Sequence, residues 1–369
     1  MDLDLNEEQE LLRDTVRGLC QRHAGLDVVR AMEDDPIGFP DKLWAALGES
    51  GILGLHLPEE YGGSAMSMVD AAVVYHELGR AIAPSPHLVS VVLSGSAILA
   101  AGSEAQKQAW LPRITSGEAI VTPAWLERDR GFGEKGVAAR AEQDGDQWKL
   151  TGRKRHVQFA KAADALLALA RTADGVALFL VATDAPGVTL TQQFTIASDT
   201  QYDVDLEGAP GELVGTAAHG WGTWDDVMRD SCILIGSYAA GGAQFAHEIT
   251  TQYAKDRKQF DKPLGAFQAI AHYLADGISA VDGAEVLAYE AAWARDKRRP
   301  EVRRLAPMAK LFACKTFRDV TAVGQQVFGG VGFTLEYDIQ LYFRRAKQLQ
   351  LSWWNDRYLE ELVAADVLD

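Results

Sequence analysis

Apolar positions recur at helical spacing over the first third of the chain, in short β-type runs over a middle stretch, and at helical spacing again from about residue 222 onward. The first helix is announced by Asn6, a cap with Gln9 at its N3 position, after which Leu12, Val16 and Leu19 return on one face. Further helices are predicted in "PDKLWAALGESG", opened by proline and closed by Gly51, in "MVDAAVVYHELGRAI", and in "HLVSVVLSGSAILAAGS", with Pro84 and Pro86 parting the last two. From 118 to about 216 the runs "QWKLTG", "ADALLALAR", "GVALFLVAT" and "GVTLTQQ" alternate with turn signals at Asp144-Gly145-Asp146 and Ala173-Asp174-Gly175. The helices that follow are long: one through "WDDVMRDSCILIGSYAAGGAQFAHEITTQYAKDR", one after "PLGAFQ", one through "EVRRLAPMAKLFACKTFRDVTAVGQQVF", and a fourth around Trp353. Four such helices with short links predict a bundle. The expected fold class is α+β: an N-terminal all-helical domain over 1–117, a middle β-domain, a barrel, over 118–218, and a C-terminal four-helix bundle over 219–369.

Composition narrows the function classes. With 369 residues, 47% of them apolar and 24% charged, the chain buries a sizeable core without staples. A formal charge of −16 repels a phosphate backbone, and the short basic run "KRRPEVRR" does not offset it, so nucleic acid is not an expected partner. Cys20, Cys232 and Cys314 are odd in number and far apart, which fits neither a disulfide framework nor a metal site. The opening "MDLDLNEEQE" is not a signal sequence and the longest apolar runs fall short of a bilayer span; a cytoplasmic protein with no membrane partner is expected. The small residues Gly236, Ser237, Ala239, Ala240, Gly241 and Gly242 permit close helix contact, so a dimer or tetramer formed through 222–369 is expected, the alternative being that they pack within one chain.

The wording of the loops adds a resemblance. "GILGLHLPEEYGG" with "HELGRA", then "DRKQFDKPLGAFQAIAHYLAD", then "QQVFGGVGFTLEYDIQLYFRRAK" stand in the order found in the acyl-CoA dehydrogenase family, which the chain resembles along its whole length. The resemblance implies a flavoprotein that removes hydrogen from the α and β carbons of an acyl-CoA thioester, with FAD held between the β-domain and the bundle of an adjacent subunit. It also implies that Arg257, Phe260, Gln268, Gln326, Gly329 and Gly330 touch the adenosine end of an FAD bound chiefly by a neighbour. The residue types suit that role, since arginine offers a fixed-charge fork to a pyrophosphate and glycine lets backbone amides approach closely. The bland alternatives are a surface ion pair for Arg257, a core position for Phe260 and close helix packing for the glycines.

The β-domain departs from the family. Where the family carries a Thr-acidic-Pro phrase and then Gly-Ser-Asp, this chain has "VTPAWLERDRGFGEKG", with Thr122 and Pro123 adjacent. Where the family places Trp-Ile-Thr-Asn against the flavin, His156, Val157, Gln158 and Phe159 stand here. Gln158 retains an amide donor, and His156 is either a ring-stacking or titrating residue or simply a packed or solvated one.

Removing the α proton of a thioester needs a base within hydrogen-bond reach. The family's glutamate comes from one of two positions, which match Trp353 and Ser231 in this chain. An indole does not accept a proton, and an unassisted serine hydroxyl is a very weak base. The nearest carboxylates are Asp230, turned about 100° around the helix from Ser231, and Asp356, nearly one turn past Trp353. No catalytic base is therefore assigned, and the chain resembles the base-less subunit of heteromeric α2β2 bacterial dehydrogenases of the steroid side-chain type. That implies a homologous partner subunit carrying the catalytic glutamate, an acyl-CoA substrate, and an electron-transferring flavoprotein as a further partner. Two other readings stay open: a self-sufficient flavoenzyme of the same fold with an unconventional base, and a cofactor-free scaffold subunit.

Overall fold

The computed structural model describes residues 4–145 and 147–368; Asp146, part of the expected turn at 144–146, lies outside the described residues, as do residues 1–3 and 369. Helix α1 (Glu7–His23) begins as its sequence dictates, with the Asn6 side chain accepting from the Gln9 amide and the Gln9 side chain accepting from the Asn6 amide. A short α2 (Leu26–Ala31) and α3 (Asp41–Glu49) follow, the latter entered at Pro40 and left through Gly51 at φ 72°. Helix α4 (Met68–Arg80) opens on a second capping box, Ser67 with Asp70. The stretch after Pro86 is not the single α-helix its periodicity suggests: Leu88–Gly95 winds as a π-helix before α5 (Ser96–Ala101). Helix α6 (Glu104–Ser116), whose pattern is interrupted by Pro112, was not expected; Ser103 and Gln106 cap it.

The strands are β1 (Val121–Ala124), β2 (Arg140–Asp144), β3 (Gln147–Gln158), β4 (Ala165–Arg171), β5 (Val176–Ala182), β6 (Val188–Gln193) and β7 (Gln201–Val214). Then come α7 (Gly220–Asp256), a small hairpin of β8 (Lys258–Gln259) and β9 (Lys262–Pro263), α8 (Gln268–Asp296), α9 (Val302–Phe328), α10 (Ile339–Leu351) and α11 (Asp356–Leu368). The fold is α+β, helical at both ends and β-rich in the middle. The fourth bundle helix expected around Trp353 is broken there: α10 stops at Leu351, α11 starts at Asp356, and Trp353 and Trp354 occupy the gap at φ 52° and 71°. Among the described residues no helix is long and apolar enough to cross a membrane.

Packing divides the chain into two compact units. The one comprising Val28–Met66 and Pro84–Ser231 holds the barrel. Strand β2 pairs with β3, β3 with β7, β7 with β5, β5 with β4 and β4 with β2, which closes the ring; β1 joins β4 in parallel and β6 lies along the first half of β7. Leu150, Val157, Leu166, Phe179, Tyr202 and Val204 fill its core. The sequence pattern does not announce β7, because Gly208, Pro210 and Gly211 interrupt it; Gly208, at φ 65°, falls where the β3–β7 register shifts and supplies the bulge residue.

The other unit comprises Met1–Asp27, Ser67–Ala83 and Cys232–Asp369. Here α4 and α7 touch backbone to backbone: a Cβ on Gly79 would stand 1.9 Å from the Tyr238 carbonyl oxygen, and one on Gly241 2.0 Å from that of His76. Gly236 packs on Ala309, Gly242 on the Phe317 ring, and Ser237 Oγ donates to the Ala72 carbonyl at 2.6 Å. The small residues of α7 are thus used in packing within the chain, the alternative to a contact between chains. Glu77 of the "HELGRA" phrase is fully buried, takes a two-pronged bond from Arg17 at 2.7 and 2.8 Å, and has His76 Nδ1 3.5 Å away. Burial pushes its carboxyl up, but the His76 and Arg17 contacts outweigh that and hold it at about 2.

Candidate functional site

The residues expected at the adenosine end of a dinucleotide come together at one end of the bundle. Helix α7 runs out at Asp256, the Arg257 amide donates to the Tyr253 carbonyl, and the Leu264 amide donates to that of Arg257, which folds the β8–β9 hairpin back on the helix end. Phe260 and Asp261 form its two-residue tip, both left-handed at φ 52° and 64°, the geometry of a type I′ turn. Each non-glycine residue in that region costs roughly 1 kcal/mol or more. Phe260 accepts that cost while 87% exposed.

Spacing alone does not reveal how the end of α7, at Arg257, and the end of α9, at Gly329, lie together. One turn before Arg257, the Tyr253 ring stacks on Phe328 with centroids 4.0 Å apart, and Tyr337 stands edge-on to both. Phe328 is the last residue of α9, so the stack sets the ends of α7 and α9 side by side. Gly329 then turns the chain at φ 67°, and a Cβ on Gly329 or Gly330 would meet nothing within 4 Å. Gly332, by contrast, is packed against Gln325 and Phe328. The two glycines expected at the ligand therefore leave open space where a side chain would stand and do not serve close packing, while the Gly329 amide donates to the Gln325 carbonyl and its carbonyl accepts from the Gly332 amide. Gln268 opens α8, Gln326 lies on the last turn of α9, and both are exposed, as is Arg257. Among the described residues the side chains of Arg257, Gln268 and Gln326 have no hydrogen-bond or ion-pair partner.

The two base positions are different in kind. Ser231 is fully buried on α7, and its hydroxyl donates to the Met228 carbonyl of its own helix at 2.7 Å. Trp353 is 6% exposed in the gap between α10 and α11, next to the fully buried Trp354. A residue that sequence reasoning missed organises this gap: Lys310 of α9 is fully buried, and its ammonium donates to the Leu349 carbonyl at 3.0 Å and the Trp354 carbonyl at 2.9 Å. Asp356 accepts from Gln350 Nε2 at 2.5 Å, and Asp230 is half-buried.

In the barrel, Thr122 is fully buried and donates to the Gln158 carbonyl at 2.6 Å, so its hydroxyl is committed to the sheet. His156 is exposed at φ 55°, where the β3–β7 register slips, and its Nδ1 lies 2.7 Å from Gln201 Oε1. Trp125, just after the Thr122-Pro123 pair, packs its ring 5.4 Å from that of Trp224. The missed feature here is Lys154, fully buried and 2.6 Å from Glu127, whose carboxylate also accepts from the Ala138 and Ala139 amides. Burial lowers the Lys154 ammonium against the opposing pull of Glu127. Its signal was present in the sequence: alternation along β3 puts Lys154 on the inward face with Leu150.

Comparison with known proteins follows the same division of the chain. The acyl-CoA dehydrogenase N-terminal, middle and C-terminal domain families match residues 6–118, 124–206 and 218–364. The acyl-CoA dehydrogenase FadE27 of Mycobacterium tuberculosis is 32% identical over 327 residues, 85% of this chain and 84% of its own. Among solved structures, a variant of the Tcur3481-Tcur3483 steroid ACAD superposes at a TM-score of 0.88 with 30% identity, covering 98% of this chain and 99% of the other. The ChsE4-ChsE5 complex from Mycobacterium tuberculosis superposes at 0.91 with 28% identity, covering 100% and 99%.

Proposed function

We propose that this chain, which belongs to the acyl-CoA dehydrogenase family, is the subunit of a heteromeric enzyme that lacks a base and completes the FAD site of a homologous partner. The family is FAD-dependent and oxidises acyl-CoA thioesters. The observation that carries the subunit role is the pairing of Trp353 with Ser231: one base position holds an indole, and the other a hydroxyl committed to its own helix. The steroid ACAD and the two-protein ChsE complex, both similar over nearly the whole chain, support a heteromer and a bulky CoA thioester as substrate.

The residues at the bundle end fit a dinucleotide. The uncommitted Arg257 guanidinium offers two parallel bonds to pyrophosphate oxygens, the open space where side chains would stand at Gly329 and Gly330 admits a phosphate or ribose at close range, and Gln268 and Gln326 bring neutral donors and acceptors. The exposed Phe260 ring offers an apolar face beside them. The chemistry that FAD supplies when bound is acceptance of the hydride from the β carbon of the thioester. Proton removal at the α carbon falls to the partner's glutamate, and this chain binds and orients.

Co-expression with a homologous subunit that carries the glutamate tests the reading through the mass of the complex, its flavin stoichiometry and dehydrogenation of CoA thioesters of graded bulk. The expected result is turnover by the assembled complex that disappears when the partner's glutamate becomes glutamine. Turnover by this chain alone, with flavin bound and Trp353 and Ser231 unaltered, overturns it and directs attention to Asp230, His156 and Asp356.

A further inference from the structure

We propose that Lys310 is the positioning residue for Trp353, a buried clamp that fixes the turn on which position 353 is displayed. The inference rests on the reading of position 353 given above. A fully buried ammonium is costly, and among the described residues Lys310 has no carboxylate within ion-pair distance to offset its charge. Its bonds go instead to two carbonyls on either side of one feature, Leu349 before the gap and Trp354 after Trp353. Leu349 lies in the last turn of α10, where carbonyls have no partner within the helix.

Most helices that end in a left-handed residue use glycine there. Helix α10 instead leads through Ser352, in extended conformation, into two consecutive left-handed tryptophans. Asn355 caps the start of α11 by accepting from the Tyr358 amide, but no glycine stands at either left-handed position, and the turn between the helices is tied from outside, by a side chain rooted in α9. Lys310 follows Ala309, which packs on Gly236 of α7, and one turn later Cys314 is also fully buried, so the clamp is anchored in a buried, closely packed part of the bundle. Trp353 is thereby a fixed stopper and not a swinging gate. Lys310 acts through the turn and has no part in proton transfer.

The test uses the full chain labelled with 5-fluorotryptophan, the Trp353 resonance being assigned by its absence in Trp353→Phe. In Lys310→Met the expected result is a shifted or split Trp353 resonance and amide exchange across residues 349–355 faster by tenfold or more, with peptides of α7 and α8 unchanged; Lys310→Arg, which keeps the charge, restores part of both. An unmoved resonance with exchange as slow as in the parent chain overturns the clamp. Should Lys310→Met fail to fold, Lys310→Arg decides: acceleration confined to 349–355 supports the clamp, and acceleration spread evenly over the bundle refutes it. Exchange in this chain alone reads the clamp, and dependence of turnover on the partner's glutamate reads the subunit role, so either fails without the other.

Discussion

Restoring a carboxylate at position 353 is the sharpest perturbation of the proposed division of labour. Trp353→Glu removes an indole that is 6% exposed. A tryptophan buries roughly 150–250 Å², which at about 25 cal/mol per Å² is worth ~4–6 kcal/mol. The methylenes of glutamate recover part of this, leaving a loss of about 4 kcal/mol, within the range for large-to-small changes at packed aromatic sites. The left-handed backbone at φ 52° strains glutamate as it does tryptophan and does not enter the difference. Burial also raises the pKa of the new carboxyl, which adds a desolvation cost to its ionised form. Against a total stability on the order of 5–15 kcal/mol, the variant is strongly weakened. Urea unfolding followed by far-UV circular dichroism should show the loss, Trp353→Phe should lose less than half as much, and dehydrogenation by the chain alone should stay at background. A Trp353→Glu chain as stable as its parent, turning over a CoA thioester without a partner, would refute the packing argument and the subunit role together.

Three further outcomes are expected. Glu77 titrates at about 2 in the fold against an ordinary 4.5, a difference worth about 3 kcal/mol; because its folded pKa is depressed, the stabilisation is complete above the ordinary value and is lost as pH falls through the folded one. The urea midpoint of the parent should therefore close on that of Glu77→Gln between about pH 5 and 2, and a gap constant over that window contradicts the assignment. Arg257→Ala should weaken FAD retention in the assembled complex by on the order of tenfold, with Arg257→Lys restoring only part, and unchanged flavin content would make the residue structural. Gly79→Ala places a Cβ 1.9 Å from the Tyr238 carbonyl and should cost about 3 kcal/mol in thermal or urea unfolding, while Gly222→Ala, with nothing within 4 Å, should be neutral; equal effects would remove the case for backbone contact between α4 and α7.

What was legible in the sequence was whatever is fixed by neighbours along the chain. Asn6 and Gln9 lie three residues apart and satisfy each other wherever the helix goes, so α1 was readable to its first residue. The continuous apolar runs of β4 and β5 were readable because both faces of these strands are buried. Strand β7 was not, since its pairing with β3, β5 and β6 overrides three local breakers. The gap at Trp353 was illegible for the opposite reason: "LQLSWWNDRY" contains no glycine or proline, and the turn is imposed by a lysine on another helix. The candidate site divides likewise. The identities of Arg257 and Gly329 suggested the chemistry, but that the helix ends carrying them lie side by side depends on the Tyr253 and Phe328 stack, which spacing does not report.

The distribution of committed and uncommitted polar groups supports a division of labour more strongly than any one substitution. Thr122, where the chain departs from the family's Thr-acidic-Pro phrase, and Ser231, one of the two positions that the resemblance matches to the base, have their hydroxyls bonded to backbone carbonyls, and Trp353 fills a packed gap. The side chains of Arg257, Gln268 and Gln326, in phrases that the resemblance would turn toward a neighbouring subunit, have no hydrogen-bond or ion-pair partner among the described residues, and Phe260 is left-handed and exposed at the hairpin tip. A self-sufficient enzyme would need the reverse at its own base positions, because a proton acceptor bonded into its own helix is unavailable to a substrate. A mere scaffold would have no reason to keep open space where side chains would stand at Gly329 and Gly330, or to leave a phenylalanine 87% exposed at the tip of the hairpin that follows α7. Outward-facing binding groups together with spent interior ones are what a chain needs if its contribution is made in another subunit's active site.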